Sequence, residues 1–247
     1  MSERIIASIE ARMGSSRLPG KVLMDIHGKP ALARLVDRLR ACRTLTDIVV
    51  ATSTDPRDDA IAEWAQAYGV ALFRGSEEDV LDRVAKAQAS LASDIVVEIT
   101  GDCPLLDPEV IDLGVESFLA NPCDILTNAR IESYPAGTDV QVYRLAALQD
   151  VAARINDPAV REHVTLYFYE NPELYRCIHL LAPASLRWPG LRCQLDYAED
   201  LDFIRAVYAD LMPLHGPLFG LPVLIDLLKR KPELADINIH CVEKAAR

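Results

Sequence analysis

Apolar positions in the first half of the chain follow two alternating rhythms. Residues 4–10, 47–53 and 94–99 are short, nearly continuous apolar runs between polar turns, which predicts three buried strands, and 71–74 is a shorter fourth. Between them Leu32, Leu35, Val36 and Leu39 recur at helical spacing, with Pro30 suited to the first turn. Asp55-Pro56, followed by Asp58 and Asp59, places a cap, a proline and acidic charge at a second helix start, which Gly69 ends. Ser76 with Asp79 reads as a capping box for a helix running to Ala89. Asp107-Pro108 opens another helix, ending near Leu119. Strand and helix alternate throughout, which predicts a doubly wound α/β fold.

Beyond Asn121 the rhythm loosens into a mixed excursion over about 124–185. It holds a turn at 134–137, a strand at 140–143 and a helix at 160–170. Residues 192–195 read as a last core strand, followed by a helix carrying Leu201, Ile204, Val207, Tyr208 and Leu211 on one stripe and another over 222–231. No repeat, low-complexity tract or linker divides the chain, so 1–247 is expected to be one domain.

Composition narrows the function. A formal net charge of −11 opposes sustained binding to nucleic acid, whose affinity comes largely from Lys and Arg neutralising phosphates. No apolar run reaches the ~20 residues a membrane span needs, and the start Met1-Ser2-Glu3-Arg4 has no signal-peptide pattern, so the expectation is a soluble, cytoplasmic protein. Six scattered cysteines without a C-x-x-C pair suggest buried reduced thiols.

Against that acidic background, residues 11–22 read A-R-M-G-S-S-R-L-P-G-K-V directly after the first strand. Glycines permit close backbone approach, serines donate hydrogen bonds, and guanidinium groups clamp phosphate oxygens. Such a segment at the carboxyl end of a sheet suits a polyphosphate. It is not a Walker loop, because five residues separate Gly14 from Gly20 and Val22 stands where Ser or Thr is required. The plainer alternative is a solvated basic loop.

These motifs resemble those of a known family. Ala11-Arg12-Met13-Gly14-Ser15-Ser16-Arg17-Leu18-Pro19-Gly20-Lys21, the stretch 74–83 and Thr100-Gly101-Asp102-Cys103-Pro104-Leu105, with later matches at 137–140, 161–165 and 195–201, are similar to the SpsF-like spore-coat polysaccharide cytidylyltransferases. That group is related to the CMP-sugar-acid synthetases for KDO and acylneuraminate. The resemblance spans nearly the whole chain. It implies a GT-A-like mixed sheet of the nucleotide-diphospho-sugar transferases, carrying a small α+β excursion.

It also implies roles. Ala11, Arg12, Gly14, Ser15, Ser16, Arg17 and Lys21 would wrap the nucleotide triphosphate, with Arg74, Asp82 and Arg83 nearby, although Arg74 and Arg83 equally suit surface salt bridges. Asp102 and Asp196 would hold Mg²⁺, a hard cation that takes oxygen ligands. Their bland alternatives are a turn cap for Asp102 and a capping box with Glu199 for Asp196. Asp139, Gln141, Arg161 and His163 would face the acceptor, and Tyr167, Phe168 and Tyr169 would serve either a homodimer interface or a buried helix face.

The implied reaction is Mg²⁺-dependent transfer of CMP from CTP to an anionic acceptor such as an acidic sugar, sugar phosphate or phosphonate. Arg12, Arg17, Lys21, Asp102 and Asp196 would be catalytic, and pyrophosphate would leave. Two alternatives stay open: an NDP-sugar pyrophosphorylase using another nucleotide with a sugar 1-phosphate, and a non-catalytic nucleotide-binding module.

Overall fold

Along the first strand, β1 (Ile5–Glu10), successive side chains point to opposite faces, and both faces are covered. Ile5, Ala7 and Ile9 join one buried cluster while Ile6 joins the other. The structure, a computed structural model, describes residues 3–242. Met1, Ser2 and residues 243–247 of the expected domain lie outside the described residues.

After β1 come a small hairpin, β2 (Asp25–Ile26) with β3 (Lys29–Pro30), and helix α1 (Ala31–Arg40). Pro30 caps α1 rather than entering its first turn, because it is still paired in the hairpin. Then follow β4 (Asp47–Ser53), α2 (Asp59–Tyr68), β5 (Ala71–Gly75), α3 (Val80–Ser90), β6 (Ile95–Thr100) and α4 (Pro108–Ala120). The expected capping box is displaced by one turn: Asp79 itself is the cap, accepting the Asp82 amide at 3.0 Å, while Ser76 Oγ accepts the Asp79 amide at 3.1 Å.

The excursion comprises β7 (Ile125–Thr127), β8 (Gln141–Arg144), α5 (Leu145–Arg154), α6 (Pro158–Glu162), α7 (Leu166–Glu170) and β9 (Cys177–His179). The helix expected over 160–170 is thus two short ones, broken at His163. Helices α8 (Ala198–His215) and α9 (Leu221–Arg230) follow.

The seven-stranded sheet has the order β5-β4-β1-β6-β8-β7-β9. Its first four strands are parallel, β8 runs antiparallel to both neighbours, and β9 is parallel to β7. The excursion therefore extends the central sheet instead of standing beside it. Helices α1, α4, α8 and α9 cover one face, and α3 and α5 cover the other. Residues 192–195 form no strand. Their hydrogen bonds go to loops, Cys193 to the Ala136 carbonyl and Leu195 to the Asp102 carbonyl, both at 2.8 Å. A single bridge, Ala136 with Arg192, is all the pairing this segment shows.

All six cysteines are free, and burial pushes the thiols of Cys42 and Cys193 up to about 12. No helix among the described residues is long and apolar enough to cross a membrane.

Topology locates the site. From β1 the chain winds outward through β4 to β5, then α3 carries it back over the opposite face to β6 on the other side of β1. Strand order reverses between β1 and β6, and the crevice beyond their carboxyl ends is where open α/β sheets bind ligands.

Candidate active site

Two loops flank that crevice. In the first, the amides of Ser15 and Gly20 both donate to the Met13 carbonyl at 3.0 Å. The Met13 amide in turn donates to Asp58 Oδ1 at 2.7 Å, so Asp58, which reads in sequence as helix-start charge, anchors the loop from within. Gly20 turns the chain at φ +74°, a left-handed conformation glycine adopts without strain, and delivers Lys21 inward. On the β6 side the Gly101 amide donates to the Glu10 carbonyl at 2.8 Å, and a Cβ at that position would lie 2.7 Å from the same oxygen. Only glycine lets the two loops approach so closely. The buried Arg38 fixes the following turn, with Nη1 donating to the carbonyls of Leu106 at 3.1 Å and Phe219 at 2.9 Å.

The charged side chains converge at the mouth of the crevice. Lys21 Nζ lies 2.7 Å from Asp102 Oδ2 and 2.8 Å from Asp196 Oδ1. Arg17 reaches Asp196 Oδ1 at 2.8 Å, and Arg192 reaches Asp196 Oδ2 at 2.7 Å while also pairing with Asp200 at 3.0 Å. Lys21, Arg17 and Arg192 thus balance Asp102, Asp196 and Asp200. Burial opposes the charge on Lys21, but the two aspartates outweigh it and raise its pKa. Burial likewise works against ionised Asp102, and Lys21 overrides it, leaving Asp102 below the usual carboxylate range.

Neither aspartate serves as a cap. The amides of Asp196 and Tyr197 donate to Asp200 Oδ2 at 2.8 and 2.9 Å, so Asp200 closes the start of α8 and leaves Asp196 to face the cations. Asp102 binds Lys21 and Gln194 through its carboxylate.

The cavity has a volume of about 660 Å³. Its lining includes Arg12, Ser15, Ser16, Arg17 and Lys21 from the basic loop, Glu10 and Thr100 from the ends of β1 and β6, Val80 and Arg83 from α3, and Glu162 and His163 at the end of α6. Its four cations, Arg12, Arg17, Lys21 and Arg83, equal its four acids, Glu10, Asp102, Glu162 and Asp196, in a protein of net charge −11. The cations are therefore concentrated here, and an anion meets no excess of negative charge.

A second, buried network lies beside the Glu10 end of β1. Glu10 and Glu98 share one face of the sheet, because Glu10 pairs with Thr100 and Ser8 with Glu98. Tyr143 donates to Glu98 Oε2 at 2.6 Å, and Gln141 Nε2 to Glu98 Oε1 at 3.4 Å. Gln141 Oε1 accepts from Thr165 at 2.7 Å and Tyr169 at 2.5 Å. Burial pushes Glu98 up to about 7. Glu10 is raised well above the usual carboxyl value, by burial first and then by Glu98.

Not every residue expected here arrives. Arg74 spends its guanidinium on the carbonyls of Ser53 and Asp55 and on Asp59 at 2.7 Å, and does not line the cavity. Asp82 pairs with Lys86 one helical turn on, and Gly14 packs against Arg57 outside the lining. Arg161 pairs with Asp79 and donates to the Ala152 carbonyl at 2.7 Å, so its work is to hold α6 against the start of α3. Gln141 lies in the buried network, and Asp139 is also away from the lining. Phe168 is fully buried against Tyr143 and Tyr175, and Tyr169 serves Gln141, so these aromatics form a core face.

Sequence reading missed Glu10, Tyr197 and Arg192. A lone carboxyl ending the apolar run I-I-A-S-I-E was a usable signal for Glu10, and a cation four residues before Asp196 was one for Arg192.

Asp102 and Asp196 converge on one point, the Lys21 amino group, from opposite loops. Two hard oxygen donors suit Mg²⁺, provided Lys21 turns aside to the phosphates. The trio Glu199, His240 and Cys241, whose ligand atoms lie within 4.8 Å of one another, offers a softer set that suits Mg²⁺ less well.

A switch-point cavity edged by a basic Gly/Ser loop and two facing aspartates suits a phosphorylated ligand, and the family match makes this an α/β protein of the nucleotidyltransferase class. A sequence model of the cytidylyltransferases matches residues 6–210. The chain is 37% identical to the uncharacterised protein MJ1063 of Methanocaldococcus jannaschii, over 99% of this chain and 98% of that protein. It is 35% identical to the spore coat polysaccharide biosynthesis protein SpsF of Bacillus subtilis, over 94% of this chain and 96% of SpsF. Among solved structures, a cytidylyltransferase from Leptospira borgpetersenii superposes with a TM-score of 0.89 at 29% identity, covering 99% of this chain and all 100% of that one. CMP:2-keto-3-deoxy-manno-octonic acid synthetase complexed with CTP shares the fold, with a TM-score of 0.63 at 21% identity over 84% of this chain and 99% of its own. The chain belongs to the cytidylyltransferase family, as an SpsF-like member related to the CMP-KDO synthetases.

Proposed function

We propose that the protein transfers CMP from CTP to an anionic acceptor and releases pyrophosphate, with Mg²⁺ as cofactor. The observation that carries this reading is the meeting of Lys21 with Asp102 and Asp196 at the crevice between β1 and β6. Family membership and the CTP bound by the related synthetase support the choice of nucleotide.

The chain's own groups suffice to assign roles. Arg12, Arg17 and Lys21 bind the triphosphate, and Ser15 and Ser16 offer hydroxyl donors beside it. An acceptor oxygen attacks the α-phosphorus in line. The bond from that phosphorus to the bridging oxygen breaks, and the departing pyrophosphate is neutralised by the same cations. Asp102 and Asp196 would hold Mg²⁺, which supplies charge neutralisation of the phosphate oxygens. Glu162 and His163, which line the same cavity, contact the acceptor in this reading. A cytoplasmic homodimer completes the reading on the family resemblance, and sedimentation in solution checks the dimer.

A pyrophosphate-release screen tests it, crossing four nucleotides with acidic sugars, sugar phosphates and phosphonates, with and without Mg²⁺. Release from CTP with an anionic acceptor is the expected result. Release from another nucleotide with a sugar 1-phosphate would make the protein a pyrophosphorylase instead. CTP binding without release from any pair would leave a non-catalytic module.

A further inference from the structure

Two polar atoms of cavity-lining residues lack partners. Glu10 Oε1 and Arg83 Nε are both buried and both without a hydrogen bond, although each residue lines the cavity. Arg83 is 2% exposed, and its Nη1 is already committed to the carbonyls of Ser76 and Glu77. Beneath Glu10, Glu98 is satisfied by Tyr143 and Gln141, so of the two carboxyls Glu10 is the one left for a ligand. Burying such groups unpaired costs stability, and the cost is recovered when a ligand supplies the partners.

We propose that Glu10 is the base-selecting residue of this site: its Oε1 accepts a hydrogen bond from the exocyclic amine of cytosine, while Arg83 Nε donates to a carbonyl of the same ring. The inference rests on the CTP reading above and adds to it the groups that distinguish the base. With the phosphates on Arg17 and Lys21, Glu10 and Arg83 are left for the base, and Val80 and Thr100 line the same cavity. There the two orphan atoms form one acceptor and one donor. Cytosine offers an amine at position 4 and a carbonyl at position 2, and so answers both. Uracil carries a carbonyl at position 4, which would set one acceptor against another. An ionised Glu10 only accepts and so favours the cytosine amine over the uracil carbonyl, whereas a protonated one can also donate to that carbonyl and discriminates less.

The test measures binding of CTP, UTP and inorganic pyrophosphate, each with Mg²⁺, to the parent, Glu10→Leu and Glu10→Gln by titration calorimetry. A well-placed pair of hydrogen bonds to a base edge discriminates by roughly ten- to a hundredfold, so the parent should favour CTP over UTP by that factor. Glu10→Leu should lose most of the CTP affinity and bring the ratio near one, with pyrophosphate affinity unchanged. Glu10→Gln, whose amide can turn either an oxygen or an NH₂ to the ring, should gain UTP affinity and narrow the ratio from the other side. Because the Glu10 carboxyl is unpartnered in the free protein, neither variant should melt below the parent. A CTP preference retained within twofold of the parent by both variants overturns the inference and leaves the CTP reading standing. A parent that binds CTP and UTP equally overturns the CTP reading first.

Discussion

Asp196 and Glu10 line the same cavity and meet opposite surroundings. Asp196, 1% exposed, is surrounded by Lys21, Arg17 and Arg192. Glu10 sits beside a second carboxyl, with Arg83 near enough to feel its charge but not bonded to its Oε1. A buried carboxylate survives ionised when cations compensate its lost hydration, whereas one beside another acid gives up its charge. One end of the cavity is thus a locked ionic cluster that only a stronger anion or cation can open. The other holds Glu10, whose charge burial and Glu98 both oppose, with Oε1 left without a hydrogen-bond partner.

Removing the compensation at the ionic end gives the largest effect. Asp196→Asn leaves the buried Arg192 and Lys21, and the more exposed Arg17, short of a partner, and breaking such a cluster typically costs about 3–5 kcal/mol. Denaturant unfolding should show a loss of that order for Asp196→Asn and a smaller one for Asp102→Asn, whose side chain pairs with a single cation. Turnover by the folded fraction of either variant should fall by about 10² to 10³. Normal turnover in a merely unstable Asp196→Asn would mean that the cluster is only structural.

Lys21→Met removes the cation shared by both aspartates while keeping the stem. Turnover should again fall by about 10² or more. Stability should change less than for Asp196→Asn, because Asp196 retains Arg17 and Arg192. Paired measurements of turnover and denaturant midpoint on these variants separate the ligand role from the scaffold role.

The other end is sharpened through pH. Burial pushes Glu98 up to about 7 in the folded protein against an ordinary 4.5, so the folded state holds its proton more tightly than the unfolded chain. That stabilisation is fully present below about 4.5 and is lost as pH rises through about 7. At 1.36 kcal/mol per pH unit the loss amounts to up to about 3 kcal/mol. Glu98→Gln cannot titrate and should flatten this part of the stability curve. A parent curve no steeper than that of Glu98→Gln between pH 5 and 8 contradicts the assignment. The smallest effect belongs to Arg74→Ala, away from both ends: turnover near the parent's and a stability loss of about 1 kcal/mol or less.

Much of this was legible in the sequence because it is local. The β1 run, the Asp55 and Asp107 caps, the basic loop and the Asp102 turn are each written within a dozen consecutive residues, and each lies where its pattern predicted. Asp196 was legible through its motif, although the capping role expected of it passed to Asp200. The buried network was not legible. Tyr143 meets Glu98 across 45 positions and Thr165 meets Gln141 across 24, so no local rhythm reveals either pair. Arg74 and Arg161 matched a motif, yet nearby carbonyls and acids captured them, a competition only the folded geometry decides. Residues 192–195 read as a strand, and all but Gln194 are buried, yet burial alone does not supply a ladder partner.

The central claim is that CTP and Mg²⁺ open the ionic cluster at Lys21. A crystal structure of the protein with both bound tests it most directly. The account expects the triphosphate against Arg12, Arg17 and Lys21, with the Lys21 amino group turned from Asp102 and Asp196 toward the phosphates and a cation held by the two aspartates. A structure with CTP bound elsewhere, or with Lys21 still bridging both aspartates beside a bound nucleotide, would contradict it.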